Sequence, residues 1–574
     1  MDPRPGPQPR PSVLPWLIAL AAFMLSMTLA TTFPLLDPDE GRNAEVAREM
    51  AASGDLLVPH LAGMPYLDKP PAFFWAVAAA IRIAGNEPWA ARLPAALTAA
   101  LTLALVTHFA QRRAGRAFAM RAAALLYTAP LFAVLSAYVI FDMPLALCVT
   151  AVWLGLAAEL AEGAGARRRL WMFAAVTAGV LLKGPVMLAW AAGGSLGGAL
   201  LSRSRAPLRW LAWWPGWLLV LGVAGGWFAL ASARYPEYPR YAFLEETFER
   251  LASGSFRREQ PWWFVPVVLA GGALPWSLAT PWWHRRKRVS GESAEAESGS
   301  EPAPVAAPSG SGAGDAYASG PESLLSTESR LGLGFVLFAV VFFTLSHSKL
   351  VTYLLPALPM LAWTAAEAWS DAERVHSCAW GLAVVYALLA AGLAVAGFGP
   401  FLANAPPPFD AAEFPAKLLA GCFAYVVLRS VAAALGRPER AFVGVLLFTP
   451  VVLLATSPVL LRYAASQSGE PLARSLADTA PGGRVRFEAC YSPGTDFVLG
   501  RRSALVSALG RETTSNYQLR YRAALVARGQ WKPLAAPDSD RVEVVVRPVR
   551  PAAEPPAGYM PFFRDERFVA YVKR

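Results

Sequence analysis

Charge is what this sequence has least of. Only 16% of its 574 residues are Asp, Glu, Lys or Arg, where soluble domains carry about 25%. That shortage excludes an ordinary soluble enzyme of two or three domains, and the wealth of apolar residues excludes a disordered chain. Cysteine is scarce too. Cys148, Cys378, Cys422 and Cys490 are too few and too scattered for a disulfide framework, and no C-x-x-C pair marks a zinc or redox site. Three of them lie in hydrophobic segments and read as small core residues.

Hydrocarbon takes the place of charge. Hydrophobic residues make up 55% of the chain and the mean hydropathy is +0.37. A mass of 61.5 kDa holds about a dozen membrane spans of roughly 20 residues, with some chain left over. Lys and Arg outnumber Asp and Glu by 52 to 41, a net charge of +11. These cations sit in short clusters between apolar runs, the pattern that orients a membrane protein rather than one that grips nucleic acid.

Threading starts after a Pro-rich, basic tail, residues 1–12, read as cytoplasmic. The run 13–36 is read as the first span. A signal peptide is the competing reading, but the run is long for one and no small-x-small cleavage site follows. Residues 72–84 carry Arg82 and extend only about 20 Å as a helix, short of a hydrocarbon core of about 30 Å. They are read as interfacial, which leaves the Arg112, Arg113 and Arg116 loop inside. Further spans are expected near 90–111, 117–138, 142–161, 169–183, 185–202, 208–232, 261–283, 331–347, 350–369, 376–399, 413–434 and 440–462, about thirteen in all.

On this thread five basic clusters share the cytoplasmic side: Arg112/Arg113/Arg116, Arg167/Arg168/Arg169, Arg203/Arg205/Arg209, Arg285/Arg286/Lys287/Arg288 and Arg437/Arg440. Two outer loops are long, 37–89 and 233–260. The inner loop 289–330, rich in Ser, Gly, Ala, Pro and Glu, reads as a disordered linker. The expected organisation is a mainly α, polytopic membrane domain over 13–462 and a small periplasmic α/β domain over 463–574. In the latter, β-type runs (484–490, 541–546, 567–572) alternate with a helical stretch near 521–528, and no catalytic motif stands out.

A charge near the bilayer centre costs about 2.5–3.5 kcal/mol on insertion scales, so ionisable groups at spans invite a functional account. Here they collect at one face. Asp39, Glu40 and Arg42 follow the first span; Asp68 and Lys69 come later in the same loop; Asp142 opens a span at its outer end. Lys183 lies at an outer turn, and His347, Lys349 and Tyr353 mark the end of another span. Each also has a structural account. Asp39 and Glu40 suit the first turn of a helix, Asp142 before Met-Pro suits an N-cap, and the lysines suit snorkelling to headgroups. His60 and His347 read as structural or interfacial rather than as metal ligands. Those accounts do not explain convergence at one face, which suits an anionic, lipid-linked substrate with lysines on phosphate and carboxylates for acid–base or metal work.

The residues of the first loop carry a specific resemblance. Asp39-Glu40-Gly-Arg42-Asn-Ala-Glu45, Ser53-Gly54-Asp55, Val58-Pro59-His60, Gly63-Met-Pro-Tyr66-Leu-Asp68-Lys69-Pro70-Pro71 and Ala91-Arg92-Leu93-Pro94 resemble the first outer loop of the lipid A aminoarabinose transferases. More broadly they are similar to glycosyltransferase family 39 and the protein O-mannosyltransferase clan. Asp142-Met-Pro, Leu182-Lys183-Gly-Pro, Gln260-Pro-Trp-Trp-Phe, Leu274-Pro275-Trp276 and Ser346-His-Ser-Lys349-Leu-Val-Thr-Tyr353 resemble later signatures, so the likeness covers about residues 13–370.

The resemblance implies a GT-C bundle in the bacterial inner membrane, its active site periplasmic beneath interfacial helices. It implies an inverting transfer from a polyprenyl-phosphate sugar donor to a lipid, glycan or protein acceptor. By motif, Asp39 corresponds to the key loop carboxylate and Asp142 to a second acid. Arg42, Tyr66, Lys69, Lys183, Lys349 and Tyr353 would bind substrate, and Asp68 stands where a divalent metal ion would be approached. Two departures are visible: Asn43 replaces a family Tyr, and no His lies between Tyr241 and Gln260. The alternative from another class is a transporter or lipid flippase, which would favour charges at the midplane and internal repeats; no clear repeat is present.

Overall fold

Apolar runs become helices because a backbone in hydrocarbon must satisfy its own hydrogen bonds. The computed structural model describes residues 12–249, 260–274, 276–279, 325–370, 383–384, 386–388, 390–392, 394–395, 413–434, 438–507, 509–533, 542–549 and 555–573. The expected linker up to residue 324, most of the span expected near 376–399, Pro275, Arg285, Arg286, Lys287, Arg288 and Arg437 lie outside the described residues. Five described helices are long and apolar enough to cross a membrane: Leu14–Thr32 (α1), Pro88–Thr128, Asp142–Glu162, Trp214–Arg234 and Thr327–Leu345.

The span boundaries shift where glycine and proline intervene. Pro88–Thr128 is two helices meeting at Gly115, whose φ of 84° and ψ of 175° are not helical, so Arg112, Arg113 and Arg116 flank a turn. The second of the two stops at Thr128 rather than near 138, because Ala129 precedes a proline and turns extended; Pro130–Leu135 follows as a short helix. The segment expected near 350–369 starts as a 3-10 stretch, Val351–Ala357, with Pro356 unable to donate to an α-helical ladder. It continues as Leu358–Ala368. Ala166–Lys183 and Val186–Ser202 pack beside these.

Between α1 and Pro88 the first loop folds into a helix, Asp39–Ser53 (α2), a two-strand hairpin (His60–Leu61 with Met64–Pro65) and a second helix, Ala72–Ala84 (α3). Helix α2 starts with Asp39 and Glu40, which favour the positive N-terminal end of the helix dipole. It ends at Gly54 in the left-handed region. Although rich in charge, it is mostly buried, because its charges are paired. Glu45 and Arg48 meet twice at 2.6 Å. Glu40 is fully buried against Arg92, which also donates to the carbonyls of Ala30, Phe33 and Pro34.

After the helices Glu413–Ala434 and Pro438–Gln467, the chain forms a five-stranded sheet. Its strands are Val485–Glu488, Ala504–Val506, Val544–Pro548, Tyr559–Arg564 and Phe568–Lys573. Val485–Glu488 lies between two parallel neighbours, and the C-terminal hairpin adds antiparallel to Val544–Pro548. This sheet is tied to the first loop. Asp37 accepts from Ser492 Oγ at 2.6 Å and from the Gly494 amide at 2.9 Å. Gly41 runs so close to Gly494 that a Cβ there would meet the Gly494 nitrogen at 2.7 Å. Arg48 donates to the Gly500 carbonyl at 3.1 Å, and the Gln518 carboxamide donates to carbonyls of the two-strand hairpin.

Candidate active site

A cavity of about 620 Å³ opens where the first loop, Asp142–Glu162, the Lys183 turn and the C-terminal segment meet. Asp39, Arg42, Tyr66, Asp68, Lys69, Asp142, Lys183 and Tyr353 all line it. Leu145, Val186, Trp190, Phe228, Phe342 and Phe343 line it as well. The cavity thus offers both charge and a surface for hydrocarbon.

Position on each helix explains how the polar residues arrive there. Asp39 stands at the first residue of α2 with its side chain 59% exposed, and Arg42, one turn on, holds it at 2.6 Å. Arg42 also donates to Thr514 Oγ1 at 2.7 Å. Burial works against the guanidinium's charge, but Tyr66, Asp39 and Asp68 more than offset it, so Arg42 stays cationic. Burial likewise pushes the Tyr66 phenol above its ordinary range, keeping it a neutral hydroxyl.

Asp142 is the first residue of its helix, but Phe141 takes the cap position and Asp142 makes no capping bond. Its carboxylate instead pairs with Lys183. Lys183 ends Ala166–Lys183, where the helix dipole favours a cation, and its ammonium lies 4.5 Å from the centre of the Tyr353 ring. On the first loop, Lys69 donates to Glu246 at 2.7 Å and to the Asp68 carbonyl at 2.7 Å. Each lysine at the cavity therefore rests against a carboxylate.

Three expectations change with the geometry. Lys349 is not among the lining residues; its ammonium donates to the Gln260 carbonyl at 2.9 Å and so ties two segments together. Asp68 does not present a ligand cluster. Its Oδ1 accepts from the Tyr241 hydroxyl and from the Tyr517 amide at 2.9 Å, and among the described residues no three His, Cys, Asp or Glu side chains gather for a metal ion. Thirdly, the C-terminal segment without a catalytic motif supplies Thr514 and Asn516 to the cavity wall.

Other residues escaped the sequence reading. Glu246, Tyr138 and Tyr238 line the cavity, and Tyr241 stands behind Asp68. Burial first, then Asp68 and Glu246, push the Tyr241 phenol well above its usual range, so it acts as a donor. Glu246 had a visible signal, a Glu-Glu pair shortly after Tyr241 in a long loop. Thr514 and Asn516 had none, since nothing local to Thr-Thr-Ser-Asn says that it meets residue 42. Glu237 bonds Tyr517 at 2.6 Å and Arg528 at 2.7 Å. Burial opposes its charge, but Arg528 and Tyr517 hold it down at about 2.

Comparison with known proteins gives the same picture at the level of fold. Residues 68–227 match the family model "Dolichyl-phosphate-mannose-protein mannosyltransferase". An undecaprenyl phosphate-alpha-4-amino-4-deoxy-L-arabinose arabinosyl transferase of Edwardsiella ictaluri is 30% identical over 364 residues, 60% of this chain and 58% of that protein. Transferase 2 of the same description from Pseudomonas fluorescens is 28% identical over 370 residues, 60% of this chain and 54% of that protein. The chain thus matches little more than half the length of these curated relatives. The crystal structure of ArnT from Cupriavidus metallidurans bound to undecaprenyl phosphate superposes with a TM-score of 0.74, at 22% identity, over 97% of both chains. The chain is a multi-pass membrane protein that shares the fold of that ArnT structure.

Proposed function

We propose that the protein is an inverting glycosyltransferase that moves a sugar from undecaprenyl phosphate to an envelope acceptor, lipid A or a related glycolipid. The observation that carries this reading is the mixed lining of the cavity: three cations and four carboxylates together with aromatic and aliphatic side chains. A polyprenyl phosphate presents the same two kinds of surface. The relatives' descriptions, which name an undecaprenyl-phosphate donor, support it. A transporter would spread its charges along a path, whereas these crowd one pocket.

The chemistry follows from charge placement. The donor's prenyl tail lies along Trp190, Phe342 and Phe343, and its phosphate comes between Lys69 and Lys183. Each lysine exchanges its resting carboxylate for the phosphate, whose negative charge grows as the glycosidic bond breaks. Fixed cations at such a point lower the barrier most in a partly dry site. Asp39, held by Arg42, faces the acceptor hydroxyl on the opposite side of the anomeric carbon and takes its proton. If the acceptor is itself a phosphate, Asp39 steadies the positive charge of the ring instead. The leaving phosphate needs no strong general acid, unlike the leaving group in a two-carboxylate hydrolase. Asp142 holds Lys183 in place until the phosphate arrives.

In this reading the bundle has about thirteen spans in the bacterial inner membrane, and the cavity and the sheet domain over 463–574 face the periplasm. Asp39→Asn, which keeps size but loses the charge, is expected to abolish transfer while leaving expression intact. Mass spectrometry of lipid A from a deletion strain complemented with either version reads the result. Full modification by Asp39→Asn, or lipid A and envelope glycans unchanged by the deletion, would refute the assignment.

A further inference from the structure

The segment 510–518 enters the cavity from the far end of the chain, and its backbone is bent to do so. Thr514 has φ of 56° and ψ of 14°, the left-handed region that a β-branched residue rarely adopts. Nothing in the bend itself requires a threonine there; a glycine would sit without strain. What the threonine adds is a hydroxyl aimed at Arg42, whose Nη1 donates to it at 2.7 Å while Nη2 of the same guanidinium holds Asp39 at 2.6 Å. Strain of this kind persists where surroundings hold it in place. They do so here: the Thr514 amide donates to the Arg511 carbonyl at 3.0 Å, and Tyr517, three residues on, is fixed to Asp68 at 2.9 Å. Between these anchors, Asn516 lines the cavity half-buried, and its carboxamide has no hydrogen-bond partner among the described residues.

We propose that this loop of the C-terminal domain is a wall of the active site: Thr514 positions the Arg42–Asp39 pair, and Asn516 offers its carboxamide to the hydroxyl-rich sugar head. The inference rests on the transferase reading and deepens it. A carboxamide both donates and accepts, which suits neighbouring hydroxyls. Thr514 acts through Arg42 and is a positioning residue.

The test uses the full-length protein in lipid nanodiscs. Thr514→Gly relieves the backbone but removes the acceptor. It is expected to keep or raise the melting temperature while kcat falls at least about tenfold, and Thr514→Ser is expected to recover most of the loss. Asn516→Ala is expected to raise the donor KM about fivefold and to leave the affinity for undecaprenyl phosphate, which carries no sugar, within about twofold of wild type. Wild-type kcat in Thr514→Gly, a loss in Thr514→Ser as large as that in Thr514→Gly, or an unchanged KM in Asn516→Ala would overturn the inference. So would an Asn516→Ala protein that loses sugar donor and bare undecaprenyl phosphate alike. A wild-type protein that fails to bind undecaprenyl phosphate would bring down the transferase reading itself, and this inference with it. Binding measured on the wild type thus separates the two failures.

Discussion

Glu40 and Arg92 form a two-pronged ion pair, at 2.8 and 2.6 Å, with side chains 0% and 2% exposed. Glu40 also accepts from the backbone amides of Leu36 and Val139, so its charge is met from several directions. The pair fastens the end of α1 and the start of α2 to the helix that begins at Pro88. It thereby sets the position of Asp39, its immediate neighbour in sequence. Removing one partner leaves the other charged, buried and alone, which costs about 3–5 kcal/mol. Arg92→Ala is therefore expected to reduce folded yield and lower the melting temperature in detergent. Arg92→Lys should rescue it poorly, because an ammonium cannot copy the forked geometry. A normal melting curve for Arg92→Ala would show that the pair does not secure the loop.

The Lys69–Glu246 contact leads to a prediction of opposite signs. If the carboxylate keeps the lysine from phosphate in the resting cavity, Glu246→Gln should bind undecaprenyl phosphate more tightly, and Lys69→Ala less tightly. For a partly exposed pair the difference is about 1 kcal/mol, or roughly fivefold in Kd. Titration with undecaprenyl phosphate by intrinsic tryptophan fluorescence reads both. Weaker binding in Glu246→Gln would mean that the carboxylate helps to build the phosphate site.

Acidity should act through the joint between α2 and the C-terminal segment. Burial raises the Asp496 carboxyl to about 6, against the pull of Ser503, Tyr491 and Arg48. Glu45 and Glu49 are pushed up as well, chiefly by burial. A carboxyl that holds its proton more firmly folded than unfolded favours the folded state in acid. Asp496 contributes most below about pH 4, and this contribution is lost as pH rises to about 6. The melting temperature should therefore fall across that window, and Asp496→Asn should flatten the slope. The same slope in both proteins would remove Asp496 from the account.

Chelation gives a direct check on Asp68. Because its Oδ1 serves Tyr241 and Tyr517, transfer is expected to survive dialysis against EDTA with less than about a twofold change, since no charge-stabilising partner of the size seen for a preorganised donor is lost. Activity abolished by EDTA and restored by one divalent cation would reverse this and make Asp68 the first residue to substitute.

Much of the site was legible because its motifs are local and its charges are conspicuous in hydrocarbon. Asp39, Arg42, Asp68, Lys69, Asp142 and Lys183 stood out as charges at the ends of apolar runs, and they line one cavity. Lys349 stood out for the same reason, but a cation at a span end also serves to tie loops together, as it does here with Gln260. Pairing was harder to read. Periodicity could not say that Lys69 rests on a carboxylate 177 positions away, or that Asp142 meets Lys183 across 41. Thr514 was invisible, since its role depends on a hydrogen bond to a residue 472 positions earlier. Helix ends were misjudged where proline redirects the chain, as at Pro130 and Pro356.

The bond between Asp37 and Ser492 joins residues 455 positions apart, which puts a constraint on biosynthesis. Helix α2 leaves the ribosome long before the segment that covers it. Until then Asp37, Glu45 and Glu49 stay hydrated, and the bare backbone at Gly41 has nothing to lie against. Assembly of the pocket consequently waits for the later segment, and a nascent chain interrupted before residue 492 would carry the preceding membrane helices without a finished pocket.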